Sequence, residues 1–285
     1  MRLYEPSRPI PLSLGERHFD LTTRALVMGI LNRTPDSFYA PAATFELDDL
    51  FRRAEQLVYE GADVLDVGGV KAGPGPEVSE AEELDRVVPV IDELARRFDV
   101  ALSVDTWRSG VARACFAAGA TLGNDISGFA DPEYLDVAAA AGASVVATHI
   151  RLAPRVADPT PHYDDVTATV RDFLLERRRR ALAAGVGEDR IVLDAGLDLG
   201  KTAGQSLKLL RESATLADLG APLFLSASNK TFLGVMFDLA VTERREATLA
   251  ATALGIAAGA RVVRVHDVAG SVRVRDTLHA ILEAR

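Results

Sequence analysis

Polar side chains recur in this chain where short apolar runs end. The set comprises Asn32, Asp66, Asp105, Asn124, Asp194, Lys230, Arg264 and His266. A carboxylate can accept two parallel hydrogen bonds from an amino-amide or guanidine-like edge, and an amide adds one donor and one acceptor. The acids and amides of this set therefore suit a flat heterocycle that carries N–H groups.

The basic members of the set suit an anion. Arg264 and His266 are two residues apart, so an extended strand would project both to one face. With Lys230 they could hold a phosphate or pyrophosphate, and Asn32 could lie beside a hard cation such as Mg²⁺. Together the residues predict a pocket for a nitrogen heterocycle with an anionic arm.

A structural role is the main alternative for each residue taken alone. Asp105 and Asp194 could be buried carboxylates that backbone N–H groups satisfy, and a single histidine such as His266 is more often a core residue. The presence of the whole set at strand ends favours a site. Trp107 and Cys115 are interpreted as packing residues.

The elements that must position this set alternate between strand and helix. Asp194, Gly196 and Gly200 form a glycine-rich turn after a short apolar run, and the same pattern of a polar residue after a strand recurs along the chain. Strands are expected at 25–31, 63–67, 100–104, 121–124, 144–149, 190–194, 222–226 and 261–265. Eight such units predict a (β/α)₈ TIM barrel, in the α/β class, whose working face lies at the strand ends.

The remaining segments complete a single-domain interpretation for residues 1–285. Residues 1–23 predict a β-hairpin that plugs the lower end of the barrel. Ser79 followed by Glu82 predicts a capping box at a helix start. One helix is expected over 204–219, and only a loop with a single helical turn over 229–239.

Composition limits the classes of function. The chain has 285 residues, 48% of them hydrophobic, and its net charge is −9, which argues against nucleic acid as the main partner. Its single cysteine, Cys115, fits a reducing compartment. No secretory signal and no apolar run of membrane-spanning length is evident. A cytoplasmic location without membrane association is therefore expected.

Six motifs together resemble the dihydropteroate synthases over nearly the whole chain. They are Met28-Gly-Ile-Leu-Asn32-Arg-Thr-Pro-Asp-Ser-Phe38, Asp66-Val-Gly-Gly69, Ser103-Val-Asp105-Thr106, Asn124-Asp-Ile-Ser-Gly128, Asp194 to Lys201, and Arg264-Val-His266-Asp267. The resemblance implies a TIM barrel that forms a homodimer. The reaction that it implies condenses a dihydropterin-methyl pyrophosphate with 4-aminobenzoate and releases pyrophosphate with Mg²⁺.

The resemblance also implies roles for individual residues. The residues implied to bind the pterin are Asp105, Asn124, Asp194, Lys230 and Arg264. Asn32, Arg264 and His266 would hold the pyrophosphate, with Asn32 also at the metal. Phe38 and Ser228 would contact the aminobenzoate.

The departures from the family pattern concentrate in one loop. Where the family has Glu-Ser-Thr-Arg, this chain has Val70-Lys-Ala-Gly73, so the threonine and arginine that help close the aminobenzoate pocket are missing. Asn229 and the Asp198-Leu199 pair also differ from the family. The altered loop resembles that of a divergent second-copy branch in actinobacteria, whose members are regarded as lacking synthase activity.

Three functions therefore remain open. We favour a pterin-binding relative that is inactive or very weak as a synthase, and the alternative is an active dihydropteroate synthase. A methyltetrahydrofolate-type methyltransferase is disfavoured because the loop from Asn32 to Phe38 resembles that of a synthase. The small residues of Ala250–Ala253 and Gly255–Ala258 further suggest dimerisation through the C-terminal helices.

Overall fold

Eight parallel strands close into a barrel. The structure, a computed structural model, describes residues 3–33 and 43–284. The barrel strands are β3 (Leu26–Asn32), β4 (Val64–Gly68), β5 (Ala101–Asp105), β6 (Leu122–Asp125), β7 (Ser144–Thr148), β8 (Ile191–Asp194), β9 (Leu223–Leu225) and β10 (Ala260–Val265). They follow one another in chain order, and β10 pairs with β3 to close the ring. The predicted TIM barrel is confirmed.

Helices follow the barrel strands and surround them. They are α1 (Ala43–Tyr59), α2 (Glu80–Arg97), α3 (Ser109–Ala117), α4 (Tyr134–Ala140), α5 (Val166–Ala183), α6 (Ala203–Arg211), α7 (Ser213–Ala217), α8 (Thr231–Phe237), α9 (Arg245–Ala257) and α10 (Val268–Glu283). Ser79 begins α2 as expected, because its side chain accepts a hydrogen bond from the backbone N–H of Glu82. None of the described helices is long and apolar enough to cross a membrane.

Two helical expectations differ from the structure. The segment expected as one helix over 204–219 is divided into α6 and α7 at Glu212. The Ser213 hydroxyl donates to the carbonyls of Leu209 and Leu210, a type of bond that bends helices. The segment 229–239 contains a seven-residue helix instead of a single turn. Its second residue, Phe232, donates its backbone N–H to the carboxylate of Asp198, a contact that no local pattern reveals.

The N-terminal hairpin closes the lower end of the barrel, as predicted. Strands β1 (Pro11–Leu14) and β2 (Arg17–Asp20) pair in antiparallel fashion around a turn at Gly15, whose φ is +62°. Leu12 and Leu14 are fully buried and pack with apolar residues of the barrel interior. With its lower end filled, the barrel carries the polar residues of the strands at its opposite rim.

Candidate functional site

Register brings the first polar residues of the set side by side. In the parallel pairing, Asn32 lies opposite Gly68, Gly68 opposite Asp105, and Asp105 opposite Asn124. A Cβ atom added to Gly68 would lie 3.4 Å from Asn32 Oδ1 and 3.5 Å from Asp105 Cβ. The side chains of Asn32 and Asp105 therefore converge over this glycine at the upper rim of the barrel.

A buried ionic network occupies the centre of the rim. Arg264 donates from Nε to Asp66 Oδ2 at 2.6 Å and from Nη2 to Asp105 Oδ2 at 2.8 Å. Asp66 is fully buried and also accepts from Ser103 Oγ and, at 3.3 Å, from Asn124 Nδ2. Asp66 therefore fixes both the guanidinium of Arg264 and the amide of Asn124. Asp66 belongs to the predicted polar set, but the family resemblance implied no individual role for it.

The carboxyl group of Asp105 is poised for titration near neutrality. Desolvation raises its pKa from 3.8 to about 7, while the charge of Arg264 acts in the opposite direction. The neighbouring carboxylate of Asp66 raises the pKa further. The charge of Asp105 therefore depends on both network partners.

Asp194 ends β8 and is held by the turn that follows it. Its Oδ1 accepts the backbone N–H of Gly196 at 2.8 Å, and its Oδ2 lies 3.4 Å from the hydroxyl of Thr148. Gly196 has a φ of +63°, and an added Cβ would lie 2.0 Å from the carbonyl oxygen of His149. Burial raises the pKa of Asp194, and the charges of Lys230 and Lys201 oppose that shift.

Lys230 lies on the same side of the rim as Asp194, at the start of α8. Its Nζ donates to the carbonyl of Leu197 at 2.6 Å. Desolvation lowers its pKa, and the carboxylates of Asp194 and Asp198 counteract that effect. The site therefore places the ammonium group of Lys230 beside the buried acid of β8. The start of α8 fixes the backbone of Lys230.

His266 and Ser228 are bonded to each other. Ser228 Oγ accepts the backbone N–H of His266 at 3.2 Å and lies 2.9 Å from His266 Nδ1, to which it can donate. In the tautomer in which Ser228 donates to Nδ1, the ring proton is on Nε2. Desolvation, Arg264 and Arg53 lower the pKa of His266 to about 4, so the ring is neutral at pH 7. The residue was expected to be potentially cationic, and its lowered pKa favours the neutral form, which can offer a phosphate one N–H donor.

Lys201 is a buried lysine that supports the floor of the site. The sequence pattern did not identify it as a functional residue. Lys201 Nζ lies 2.9 Å from His149 Nδ1 and donates to the carbonyls of Gly196 at 2.8 Å and Leu199 at 3.0 Å. Desolvation lowers the pKa of Lys201 to about 7 and that of His149 to about 3. Lys201 thereby ties the turn after β8 to the end of β7. The only signal in the sequence was a Gly-Lys pair after a strand.

The altered loop after β4 is tied to the loop after β7. The side chain of Val70 is buried, whereas nothing lies within 4 Å of a Cβ added to Gly73. Arg155 donates its backbone N–H to Ala72 O at 2.9 Å and its guanidinium to the carbonyls of Lys71 and Pro76. No local sequence pattern indicates this tie, because the two loops are distant along the chain.

Phe38 lies outside the described residues, so its contact with aminobenzoate stays a prediction. The other residues of the predicted set lie at one rim of the barrel. They divide into a central network around Arg264, the electrostatically coupled Asp194 and Lys230, and a peripheral group that includes Asn32 and His266. This arrangement can surround a flat polar ring and present donors to an attached anion.

Comparison with known proteins agrees with this geometry. The family model described as "Pterin binding enzyme" matches residues 28–266. The chain is 45% identical over 268 residues to "Inactive dihydropteroate synthase 2" of Mycobacterium leprae, covering 92% of each protein. It is 40% identical over 269 residues to "Dihydropteroate synthase" of Synechocystis sp., covering 93% of each.

A solved structure extends the likeness to the fold. The dihydropteroate synthase of Xanthomonas albilineans, determined with 4-aminobenzoic acid, superimposes with a TM-score of 0.89 at 35% identity. The match covers 98% of this chain and 100% of that one. The barrel and its rim thus define a pterin-binding enzyme fold. Within that class, the chain belongs to the dihydropteroate synthase family.

Proposed function

We propose that the protein binds a pterin-type heterocycle at the upper rim of the barrel and is inactive or very weak as a dihydropteroate synthase. The observation that carries this proposal is an intact set of polar residues beside an altered loop. Val70 is buried and Gly73 offers no side chain, where the family has residues able to hydrogen-bond. The name of the Mycobacterium leprae relative supports the same conclusion.

The pterin edge would be held by acids that can pair with its N–H groups. In this proposal Asp105, Asn124 and Asp194 contact the edge of the ring. Lys230 adds a hydrogen bond, and Arg264 stacks on the ring face. Burial favours such binding, because charge-assisted hydrogen bonds are stronger away from water.

The anionic arm would lie towards the peripheral group. Asn32, Arg264 and His266 would contact a pyrophosphate, with the neutral imidazole as a donor. Among the described residues no group of three histidine, cysteine or acidic side chains could hold a metal ion. A Mg²⁺ ion at Asn32 would therefore depend on the oxygens of the pyrophosphate and on water, a coordination typical of this ion. Bound there, Mg²⁺ would neutralise charge on the leaving group.

Poor positioning of the second substrate explains how the protein could bind a pterin and still fail to catalyse the condensation. Phe38 and Ser228 would contact 4-aminobenzoate, but the hydroxyl of Ser228 is already bonded to His266. Holding two reactants close together in the right orientation can lower the activation barrier by roughly 7–11 kcal/mol when the effect is fully realised. A loop that does not position one reactant loses this effect. This loss would suppress condensation without preventing pterin binding.

An active synthase is the second candidate function. It is favoured by the complete pterin-side set and by the 40% identity to the enzyme of Synechocystis sp.. The decisive assay measures pyrophosphate release from the dihydropterin-methyl pyrophosphate with 4-aminobenzoate and Mg²⁺. We expect the parent chain to turn over these substrates poorly or not at all, and robust turnover would refute the proposal.

A chimera locates the defect. Residues 70–73 are replaced by Glu-Ser-Thr-Arg, and pterin affinity is measured in both proteins as a control for folding. A gain of turnover assigns the defect to this loop. An inactive chimera with normal pterin affinity would assign the defect to Asn229 or to the Asp198-Leu199 pair. Complementation of a strain without its own synthase tests turnover in a cell.

We also propose that the protein forms a homodimer, as the family resemblance implies. Within α9, Gly255 packs against the barrel: an added Cβ would lie 2.3 Å from Leu225 Cδ2. Gly255 is therefore a packing residue, whereas Ala250 of the same run is exposed, so a dimer through the C-terminal helices stays a prediction. Further exposed apolar side chains cluster at Val235, Met236 and Phe237 of α8. Light scattering at micromolar concentration should give twice the chain mass, and a monomer would contradict the proposal.

A cytoplasmic location is proposed on the basis of the single cysteine. Cys115 is fully buried as a thiol, which is the state that a reducing compartment maintains. Fractionation of cells that express the tagged chain would test this location.

A further inference from the structure

A cavity of about 420 Å³ lies at the lower end of the barrel. One wall is the N-terminal segment 4–11, and the other walls are formed by residues 188–189 and 217–222. These residues lead into β8 and β9, whereas Asp194 lies where β8 ends. The cavity is therefore separate from the candidate pterin site. Its size falls within the range of roughly 300–1,000 Å³ that is typical of small-molecule sites.

The N-terminal wall of the cavity is held in place by the rest of the chain. Tyr4 donates its backbone N–H to the carbonyl of Ala257 at 2.8 Å and its hydroxyl to Asp218 at 2.8 Å. At the other end of the segment, Ile10 accepts the backbone N–H of Leu21 at 2.8 Å. Because both ends of the wall are fixed, a ligand would meet a largely preformed site.

Much of the lining is apolar and poor in hydrogen-bond donors. Four of the lining residues are prolines, which have no backbone N–H, namely Pro6, Pro9, Pro11 and Pro222. Ile10 and Ala221 add aliphatic surface. A buried anion needs donors in the surrounding wall, whereas the body of an apolar molecule does not. The walls therefore favour an apolar body.

One of the three acids in the lining is already neutralised. Glu188 accepts from the guanidinium of Arg178 and lies 4.0 Å from that of Arg8. Arg8 is the one arginine among the lining residues, which include no lysine. The lining therefore has no cation left for its other two acids.

Asp189 and Asp218 are these two acids. Asp189 accepts from the hydroxyl of Ser13, and Asp218 accepts from that of Tyr4 at 2.8 Å. Within residues 3–33 and 43–284, neither carboxylate forms an ion pair. A cation in the cavity would supply the missing partner, and hydrogen bonds between charged groups are roughly twice as strong as neutral ones.

A buried guanidinium nearby does not reverse this preference. Arg261 is fully buried and lies over the ring of Tyr4, with 5.7 Å between its Cζ and the ring centroid. It donates to the carbonyls of Ile256, Ala260 and Thr22 and is not a lining residue. Since Arg261 has no exposed surface, it cannot contact a molecule in the cavity.

We propose that this cavity binds a small organic cation, a protonated amine with an apolar body, and that the carboxylates of Asp189 and Asp218 select for its charge. An ammonium group has only N–H donors, which is what carboxylates accept. A metal ion does not fit, because no three histidine, cysteine or acidic side chains in the described part of the chain could hold one. The site is distinct from the rim, so this inference goes beyond the proposed function and does not depend on it.

The first test compares three molecules that share a phenyl ring and differ in charge. The protein is titrated calorimetrically at pH 7 with 2-phenylethylamine, 2-phenylethanol and phenylacetate. We expect the amine to bind roughly tenfold more tightly than the alcohol, as for a charge-assisted hydrogen bond, and phenylacetate to bind least. Equal affinities, tighter binding of phenylacetate, or no detectable binding of the amine would overturn the proposal.

A double variant assigns the effect to the two acids. Asp189→Asn with Asp218→Asn removes both charges but keeps oxygens that can accept from Ser13 and Tyr4. It should weaken the amine roughly tenfold and leave the alcohol unchanged. Asp172→Asn, on the surface of α5, is the matched control and should change neither affinity. Urea unfolding checks that each variant is folded, and the two single variants serve if the double variant is not. Folded variants that bind the amine as the parent does would refute the role of these acids.

A pterin titration locates the amine. The rim also contains buried acids, including Asp105 and Asp194. The amine titration is therefore repeated on protein saturated with 6-hydroxymethylpterin, and the amine affinity should not change. Loss of amine binding under these conditions would assign the amine to the rim and overturn the cavity proposal. If 6-hydroxymethylpterin does not bind, the proposed function fails alone, and the Asp189 and Asp218 variants still decide the cavity proposal.

Discussion

Asp66→Asn tests whether the buried carboxylate organises the rim of the barrel. The carboxylate accepts from Arg264 Nε at 2.6 Å, from Asn124 at 3.3 Å and from Ser103. Asparagine preserves the shape but has one acceptor oxygen and no charge. At least one donor therefore loses its partner, and Arg264, even if it still donates to the amide oxygen, keeps Asp105 as its one ion-pair partner among the described residues.

The magnitude follows from the loss of a charge-assisted hydrogen bond in a buried position. Such bonds contribute about 1.5–3 kcal/mol, and the surviving pair with Asp105 prevents the larger loss of a fully unpaired charge. We expect a decrease of about 2–3 kcal/mol in the free energy of unfolding. For a chain of 285 residues, the unfolding entropy is roughly 0.6 kcal/mol/K, so the melting temperature should fall by roughly 3–5 °C.

Urea unfolding and pterin titration together distinguish the possible results. The pterin affinity should fall as well, because Arg264 and Asn124 lose the group that fixes them. Asp172→Asn is a matched control, since Asp172 pairs with Arg171 on the surface and should contribute less than about 1 kcal/mol. An Asp66→Asn protein with the stability and pterin affinity of the parent would refute the organising role.

Three further outcomes are expected. Asp194→Ala should cost about 2–3 kcal/mol of pterin binding by calorimetry, whereas Arg179→Ala should leave binding intact; equal affinities would show that the site is misplaced. Burial raises the pKa of Asp105 from 3.8 to about 7. The contribution of Asp105 to the free energy of unfolding should therefore be present at acidic pH and decline as the pH rises towards 7. Pterin affinity should rise over pH 6–8 as the carboxylate ionises, and an affinity that does not change with pH would contradict this prediction. Gly196→Ala should destabilise the fold in urea, because its Cβ would lie 2.0 Å from the carbonyl oxygen of His149 at a φ of +63°, and an unchanged midpoint would argue against this constraint.

The sequence predicts the barrel well because buried parallel strands leave a strong local pattern. Strand β8 is a short apolar run that ends at Asp194, and its predicted and observed bounds differ by one residue. The same pattern locates Asp105 and Asn124, since register then brings strand ends together without further information. Elements that depend on distant contacts are harder to predict. Helix α8 is an example, because its capping carboxylate comes from Asp198.

Within the site, residue types were predictable and their bonding was not. Arg264 was expected to be a cation for a ligand, and the structure shows it bonded to two acids of the chain itself. His266 was expected to be potentially cationic, but desolvation and two nearby arginines keep it neutral at pH 7. Arg155 could not be identified, because its significance depends on a loop some eighty residues earlier in the chain. Side-chain networks of this kind are set by tertiary packing.

The hairpin that fills the barrel has a consequence for the order of folding. Leu12 and Leu14 precede all eight barrel strands in the chain, yet they belong to the same buried cluster as Val262 of the last strand. This cluster cannot be completed until β10 has paired with β3 and the ring has closed. A segment that precedes the barrel strands is therefore among the last to be buried, and loops between such distant partners slow folding. During synthesis these leucines remain exposed, and a chain that ends before β10 has no enclosed interior to receive them.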